Sequence, residues 1–221
     1  MVMNVEQARQ NMVENQVRPW EVLDAQVLEV IARVRREDFV APAYRNVAFA
    51  DLCLPLAHGE VMMKPVIEGR LLQSLALAAT DRVLEIGTGS GFLTACLATL
   101  AHAGHVTSVD MHADFIEAAS ARLAQAGIAN VTLAVGEAVQ AWSPGESYDA
   151  VVVTGAVAQV PERFLGWLKP GGRLFVVRGQ SPAQQAVLLT HEGNARYREE
   201  SLFETDLPYL AHAEPSRRFV L

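Results

Sequence analysis

The sequence is short of positive charge. Lys and Arg number 18 against 25 Asp and Glu, a formal net charge of −7 over 221 residues, and no run of basic residues breaks the pattern. A nucleic-acid partner is thereby disfavoured, because phosphate binding needs a cationic footprint. Cysteine is scarce too: Cys53 and Cys96 are the only two, both lie in apolar stretches, and they form no CxxC pair. Such cysteines suit inert core thiols in a reducing cytoplasm better than a disulfide or a metal site. The six histidines show no ligand spacing, so no metal is expected. No apolar run is long enough to span a membrane, and the polar, mixed start Met1–Gln10 is unlike a secretory signal. Linkers rich in Gly/Ser or Pro are missing, as are internal repeats. With 51% hydrophobic and 19% charged residues, the chain reads as one globular domain. Its first part (1–79) is a helical arm with a lid, and its second (80–221) an α/β core.

The most informative stretch present is Val83-Leu84-Glu85-Ile86-Gly87-Thr88-Gly89-Ser90-Gly91. An apolar strand ends near an acid, breaks into a loop with glycine at every second position, and enters a helical pattern. Such a unit lets a ligand sit at a helix N-terminus in a doubly wound sheet. A plain turn would not need three glycines, each of which costs backbone entropy. A dinucleotide fingerprint needs its third glycine one residue later, where Phe92 stands. Alternation continues downstream. Arg82–Ile86, His105–Asp110, Val131–Val135, Tyr148–Thr154 and Arg173–Val177 read as strands. Gly91–Ala101, Ala113–Ala126 (stopped by Gly127) and Pro161–Trp167 read as helices, the last ending before Pro170-Gly171-Gly172. Gln184–His191 and Arg198–Thr205 close the sheet as antiparallel strands. The expected class is α/β: a doubly wound, Rossmann-like parallel sheet with helices on both faces and an N-terminal helical arm.

In the arm, Val5–Val17 and Glu21–Arg33 read as helices parted by Arg18-Pro19-Trp20, with Asp24 either capping the second or facing solvent. Trp20 either pins the arm to the body or meets a partner. Arg36–Asp51 reads as irregular, Leu54–Pro65 as a loop, and Val66–Leu77 as a helix leading into the first strand.

The form Glu-x-Gly-x-Gly-x-Gly resembles motif I of S-adenosylmethionine (SAM) dependent methyltransferases. That resemblance implies cofactor contacts from Glu85, Gly87, Thr88, Gly89, Ser90 and Gly91, with Glu85 either organising the loop or receiving the cofactor's ammonium through water. Asp110, with Met111 beside it, ends the second strand about 20 residues beyond the glycines, where an acid should accept the ribose hydroxyls. A helix N-cap is the plainer role for Asp110 and is compatible with the first. Gly136, Glu137 and Ala138 end the third strand, where the adenine edge is read, although Glu137 also suits a solvated loop. Thr154, ending the fourth strand, borders the methyl group and the acceptor.

Elements outside that motif are more specific. Arg36-Glu37-Asp38-Phe39-Val40, Ala43-Tyr44, Leu54-Pro55-Leu56 with Gly59 and Pro65, Tyr148–Ala156 with Val160-Pro161, and Leu168–Gly172 together resemble the protein-L-isoaspartate (D-aspartate) O-methyltransferases. The resemblance runs from about Val22 to Val177. It implies the SAM-methyltransferase fold, SAM as cofactor with S-adenosyl-L-homocysteine as product, and a protein or peptide substrate bearing an isoaspartyl carboxylate, esterified as the first step of repair. A carboxylate is already ionised at neutral pH, so no general base is required. The site must instead align the reactants and exclude water, a task for the Leu54–Pro65 lid.

The lid departs from the family pattern Gly-Gln-Thr-Ile-Ser. Val61 stands at the threonine position and Met63 at the serine position, and Glu60 adds negative charge unless Lys64 or His58 offsets it. Met63, His58 and Thr154 are the positions expected to border the chemistry. The tail departs as well, with Arg217-Arg218 either binding an acidic acceptor or serving solubility. Two other readings stay open: a methyltransferase of this fold for a different acceptor, and a noncatalytic SAM-binding module.

Overall fold

The computed structural model describes residues 4–216. The arm opens with α1 (Val5–Met12), whose N-cap Asn4 accepts the Gln7 N–H at 3.2 Å. The expected helix to Val17 is only partly α-helical: Val13–Val17 widens into a π-turn and Arg18–Trp20 tightens into a 3₁₀ turn. Pro19 has no N–H with which to continue an α-helical ladder, and the Arg18 N–H reaches back five residues to Val13. The second helix, α2 (Ala25–Arg33), starts four residues later than expected because Asp24 caps it, accepting from Gln26 and Val27 at 2.8 and 3.2 Å. The main chain around Trp20, more than its half-exposed indole, ties this arm down. Arg70 donates to the Trp20 carbonyl (3.1 Å), and Gln73 bonds to the Glu21 carbonyl and to the Leu23 and Asp24 N–H groups.

Two short 3₁₀ turns occupy Arg36–Asp38 and Pro42–Val47. The lid, expected as a loop, contains a small antiparallel hairpin of β1 (Leu54–Pro55) and β2 (Val61–Met62). Helix α3 (Pro65–Leu75) follows, with proline at its first position.

The core runs β3 (Arg82–Ile86), α4 (Phe92–Leu100), β4 (His105–Asp110), α5 (Ala113–Gln125), β5 (Val131–Val135), β6 (Tyr148–Val157), α6 (Glu162–Leu165), β7 (Leu168–Gln180), β8 (Ala183–Gly193) and β9 (Arg196–Thr205). The strand order is β5-β4-β3-β6-β7-β8-β9, parallel from β5 to β7 and antiparallel beyond. Two expectations are corrected here. The helix after Pro161 is a single turn, and Pro170-Gly171-Gly172 lies inside β7. That strand pairs Leu168 with Tyr148 and Arg173 with Ala150, so the intervening residues bulge out of the ladder.

Central strands are buried on both faces, as parallel sheets demand. Along β6, Ala150 and Val152 join the apolar cluster formed with α2, α3 and α4. Val151 and Val153 join the opposite cluster with Phe164 and Trp167. Among the described residues no helix is long and apolar enough to cross a membrane. Winding reverses between β3 and β6: the chain steps outward to β4 and β5, then returns to lay β6 against β3. A crevice opens at such a reversal, outside the carboxyl ends of the strands.

Candidate active site

A cleft lies at that reversal, lined by the ends of β3, β4 and β6 and by the lid; its empty space of about 910 Å³ includes the part open to solvent. Its floor is the β3–α4 loop. Gly87 has φ +97°, and a Cβ there would lie 2.1 Å from Thr154 Oγ1. Only glycine lets β6 approach so closely. The Thr154 hydroxyl donates to the carbonyls of Ile86 (3.0 Å) and Gly87 (2.9 Å). Thr154 thus lines the cleft while its hydroxyl pins the loop. Ser90 Oγ accepts the Phe92 N–H at 3.2 Å at the start of α4, and Thr88 Oγ1 meets Ser108 Oγ at 2.6 Å.

Two acids organise this floor. Asp110 accepts the Gly89 N–H through Oδ2 (2.9 Å) and the His112 N–H through Oδ1 (2.9 Å). It ties strand end to glycine loop and keeps a lone pair on each oxygen. The N-cap of α5 is His112, so Asp110 is not the cap. Glu85 is fully buried; its Oε2 accepts from Ser108 Oγ (2.6 Å) and Thr94 Oγ1, while Oε1 has no partner among the described residues. Burial pushes its carboxyl up to about 8, against the opposing hydrogen bonds from Ser108 and Thr94.

At the third strand end, Gly136, Glu137 and Ala138 line the cleft. A Cβ at Gly136 would strike the Trp142 ring at 2.3 Å. Both Glu137 oxygens are engaged by backbone N–H groups, Val139 at 2.7 Å and Gln140 at 2.9 Å, so the carboxylate caps its own turn. Met111 is a partly exposed rim residue of the same cleft. The lid contributes Leu56 and Glu60 to Met63, and the segment after β9 contributes Pro208, Leu210 and Ala211. That segment is laid along β6 by Ala156 N–H to Pro208 O and Leu210 N–H to Ala156 O, each 2.8 Å. Arg217 and Arg218 lie outside the described residues.

Met63 is buried in the cleft wall. Behind it sits a pair the sequence reading missed: the buried Arg36 guanidinium, bonded to the Glu68 carboxylate, the Met63 carbonyl (2.7 Å) and the Ala48 carbonyl (2.9 Å). Glu68 also lines the cleft, and burial raises its carboxyl to about 7 against the pull of Arg36.

His58 stands apart from the cleft. It is exposed in a left-handed turn, its ring stacked on His112 at 3.9 Å and its Nε2 bonded to both Asp114 oxygens at 3.0 and 3.1 Å. It therefore latches the lid to the first turn of α5, and Lys64 likewise points to solvent. His58, His112 and Asp114 bring ligand atoms within 4.8 Å of one another. The two rings, however, are parallel to within 2°, so their in-plane lone pairs run side by side and do not converge on one ion.

The model of the protein-L-isoaspartate (D-aspartate) O-methyltransferase family matches residues 7–207. The chain belongs to that family. It is 37% identical over 204 residues to a protein-L-isoaspartate O-methyltransferase of Rhodopseudomonas palustris, covering 92% of this chain and 93% of the relative. A namesake in Methanoculleus marisnigri is also 37% identical, over 186 residues and 84% of each chain. The fold matches a Plasmodium falciparum member solved with S-adenosyl-L-homocysteine at a TM-score of 0.80, with 18% identity over 91% of this chain and 97% of that one. A second protein-L-isoaspartate O-methyltransferase structure matches at 0.80, with 24% identity, 91% of this chain and 65% of that one.

Proposed function

We propose that the chain is a SAM-dependent carboxyl methyltransferase acting on isoaspartyl residues of proteins or peptides. Membership of the family supports the reaction, and the paired carboxylates under the glycine loop support the cofactor. The carrying observation is the unpartnered, fully buried Glu85 Oε1 in a cleft whose floor is cradled by Gly87 and anchored by Asp110. A buried acceptor left unmade is costly, and a ligand with a ribose at one end and, at the other, a cationic donor whose charge favours the ionised form of Glu85 suits this pair of acids. When bound, SAM supplies an electrophilic methyl group on a sulfonium. The remaining work belongs to the chain. The glycine loop and Glu85 orient the amino-acid end, Asp110 accepts ribose hydroxyls, and Gly136 to Ala138 border the adenine. Leu56, Met62, Met63 and Leu210 give the cleft apolar walls that exclude water while opposite charges approach. Thr154 acts through the loop it pins. The acceptor carboxylate arrives ionised, so no proton has to move. The unbridged Cys53 and Cys96 suit work in the cytoplasm.

A second reading, a different acceptor on the same cofactor site, is favoured by the lid: Val61 and Met63 present no hydroxyl, and the described lining residues include no Lys or Arg. One experiment separates the two. Labelled SAM is offered with an isoaspartyl peptide and its ordinary aspartyl twin, and cofactor binding is measured on the same sample. Base-labile label on the isoaspartyl peptide alone is the expected result. Good SAM binding with no label on either peptide sinks the isoaspartyl assignment and leaves the second reading.

A further inference from the structure

Glu60 is a half-buried acid on the lid, and its place is set on three sides. Its carbonyl accepts the Leu56 N–H at 2.8 Å and its own N–H donates to Ala57 O at 3.1 Å, closing the hairpin turn. That turn is fastened to α5 by His58, stacked on His112 and bonded to Asp114. His112 is two residues beyond Asp110, and Glu60, Asp110 and His112 all line the cleft. The lid carboxyl and the strand-end carboxylate therefore share one cleft. The two feel each other: burial raises the Glu60 carboxyl, and Asp110 raises it further while His112 and His58 oppose.

Two like charges in one cleft are unfavourable unless a donor or a cation lies between them. No lysine or arginine lines this cleft among the described residues, and His58 is committed to Asp114. Asp110, meanwhile, already spends one lone pair of each oxygen on Gly89 and His112. A vicinal diol answers both needs, because its two O–H groups can each donate to one carboxyl.

We propose that Glu60 is a second ribose-binding residue, which clamps the cofactor's diol from the lid while Asp110 holds it from the sheet. The proposal rests on the cofactor assignment above and is independent of the methyl acceptor. The His58–His112–Asp114 latch keeps Glu60 in place on the lid.

The test is calorimetric titration, with no acceptor present, of S-adenosyl-L-homocysteine and its 2′-deoxy and 3′-deoxy forms. The proteins are the wild type, Glu60→Ala and Glu60→Gln. A hydrogen bond to a charged group is worth about 1.5–3 kcal/mol, or roughly ten- to a hundred-fold in affinity. Glu60→Ala is expected to weaken the intact ligand by about ten-fold or more. It should weaken at least one deoxy form much less, because the partner hydroxyl is already gone. Glu60→Gln, which keeps a carbonyl acceptor, should fall between. An equal loss for all three ligands, or no loss in Glu60→Ala, overturns the proposal. Since no peptide enters the titration, this outcome is separable from success or failure of the isoaspartyl assay.

Discussion

At the scale of single residues, Glu85 carries the most chemistry per atom. It sits on an apolar strand, out of water, with one oxygen satisfied by two hydroxyls and the other unpartnered. Its carboxyl keeps a proton up to about 8 in the folded chain, against an ordinary value of 4.5. Between those values the folded state binds more protons than the unfolded one, so stability declines as pH rises through that window. Glu68, raised to about 7, adds to the same slope. The expected outcome is that the ligand-free wild type loses melting temperature from pH 5 to pH 8.5 more steeply than Glu85→Gln, whose amide oxygen still accepts from Ser108 and Thr94. Parallel profiles for the two proteins would mean that Glu85 is ionised throughout. The glycine spacing around this acid was legible in the sequence, since a positive φ beside a strand end leaves few alternatives. The use of Thr154 to pin the loop was not, because its partners lie 68 and 67 residues away.

At the scale of elements, the lid and α3 are joined by the Arg36–Glu68 pair. One guanidinium bonds the Met63 carbonyl of the lid, the turn ending at Ala48 and the first turn of α3, and it lies 4.8 Å over the Phe92 ring of α4. Breaking a buried pair strands the other charge, at a cost of about 3–5 kcal/mol, while an apolar replacement of both partners is nearly neutral. Glu68→Ala should therefore lower unfolding stability by about that amount in urea, and Arg36→Met with Glu68→Leu by much less. Equal losses would show that packing, not charge, dominates here. The sequence held a signal for this pair: Glu68 is in phase with Leu71, Leu72 and Leu75 on the apolar face of one helix, where an acid needs a partner. The same periodicity located α2 to α5 to within a few residues. It misread α1, where Pro19 loosens the ladder, and Pro170-Gly171-Gly172, whose turn chemistry hid a bulge.

At the scale of the whole molecule, the acidic balance of the sequence reappears inside the cleft, which Glu60, Asp110 and Glu137 line with no lysine or arginine among the described residues. Such a field favours a cationic ligand over its neutral product. The parallel sheet was legible because apolar runs ending in Glu85–Ile86, Asp110 and Thr154 put polar groups at one end of it; the order of its strands was not. The lid's attachment was not: His58 and Asp114 are 56 residues apart, and nothing local in either stretch announces the other. The central claim is that the acids at this reversal of the sheet bind SAM. It is tested most directly by titrating SAM into the wild type and Asp110→Ala. One SAM per chain, weakened about ten- to a hundred-fold by the substitution, is the predicted result. Failure of the wild type to bind SAM, or binding that ignores Asp110, would contradict the account.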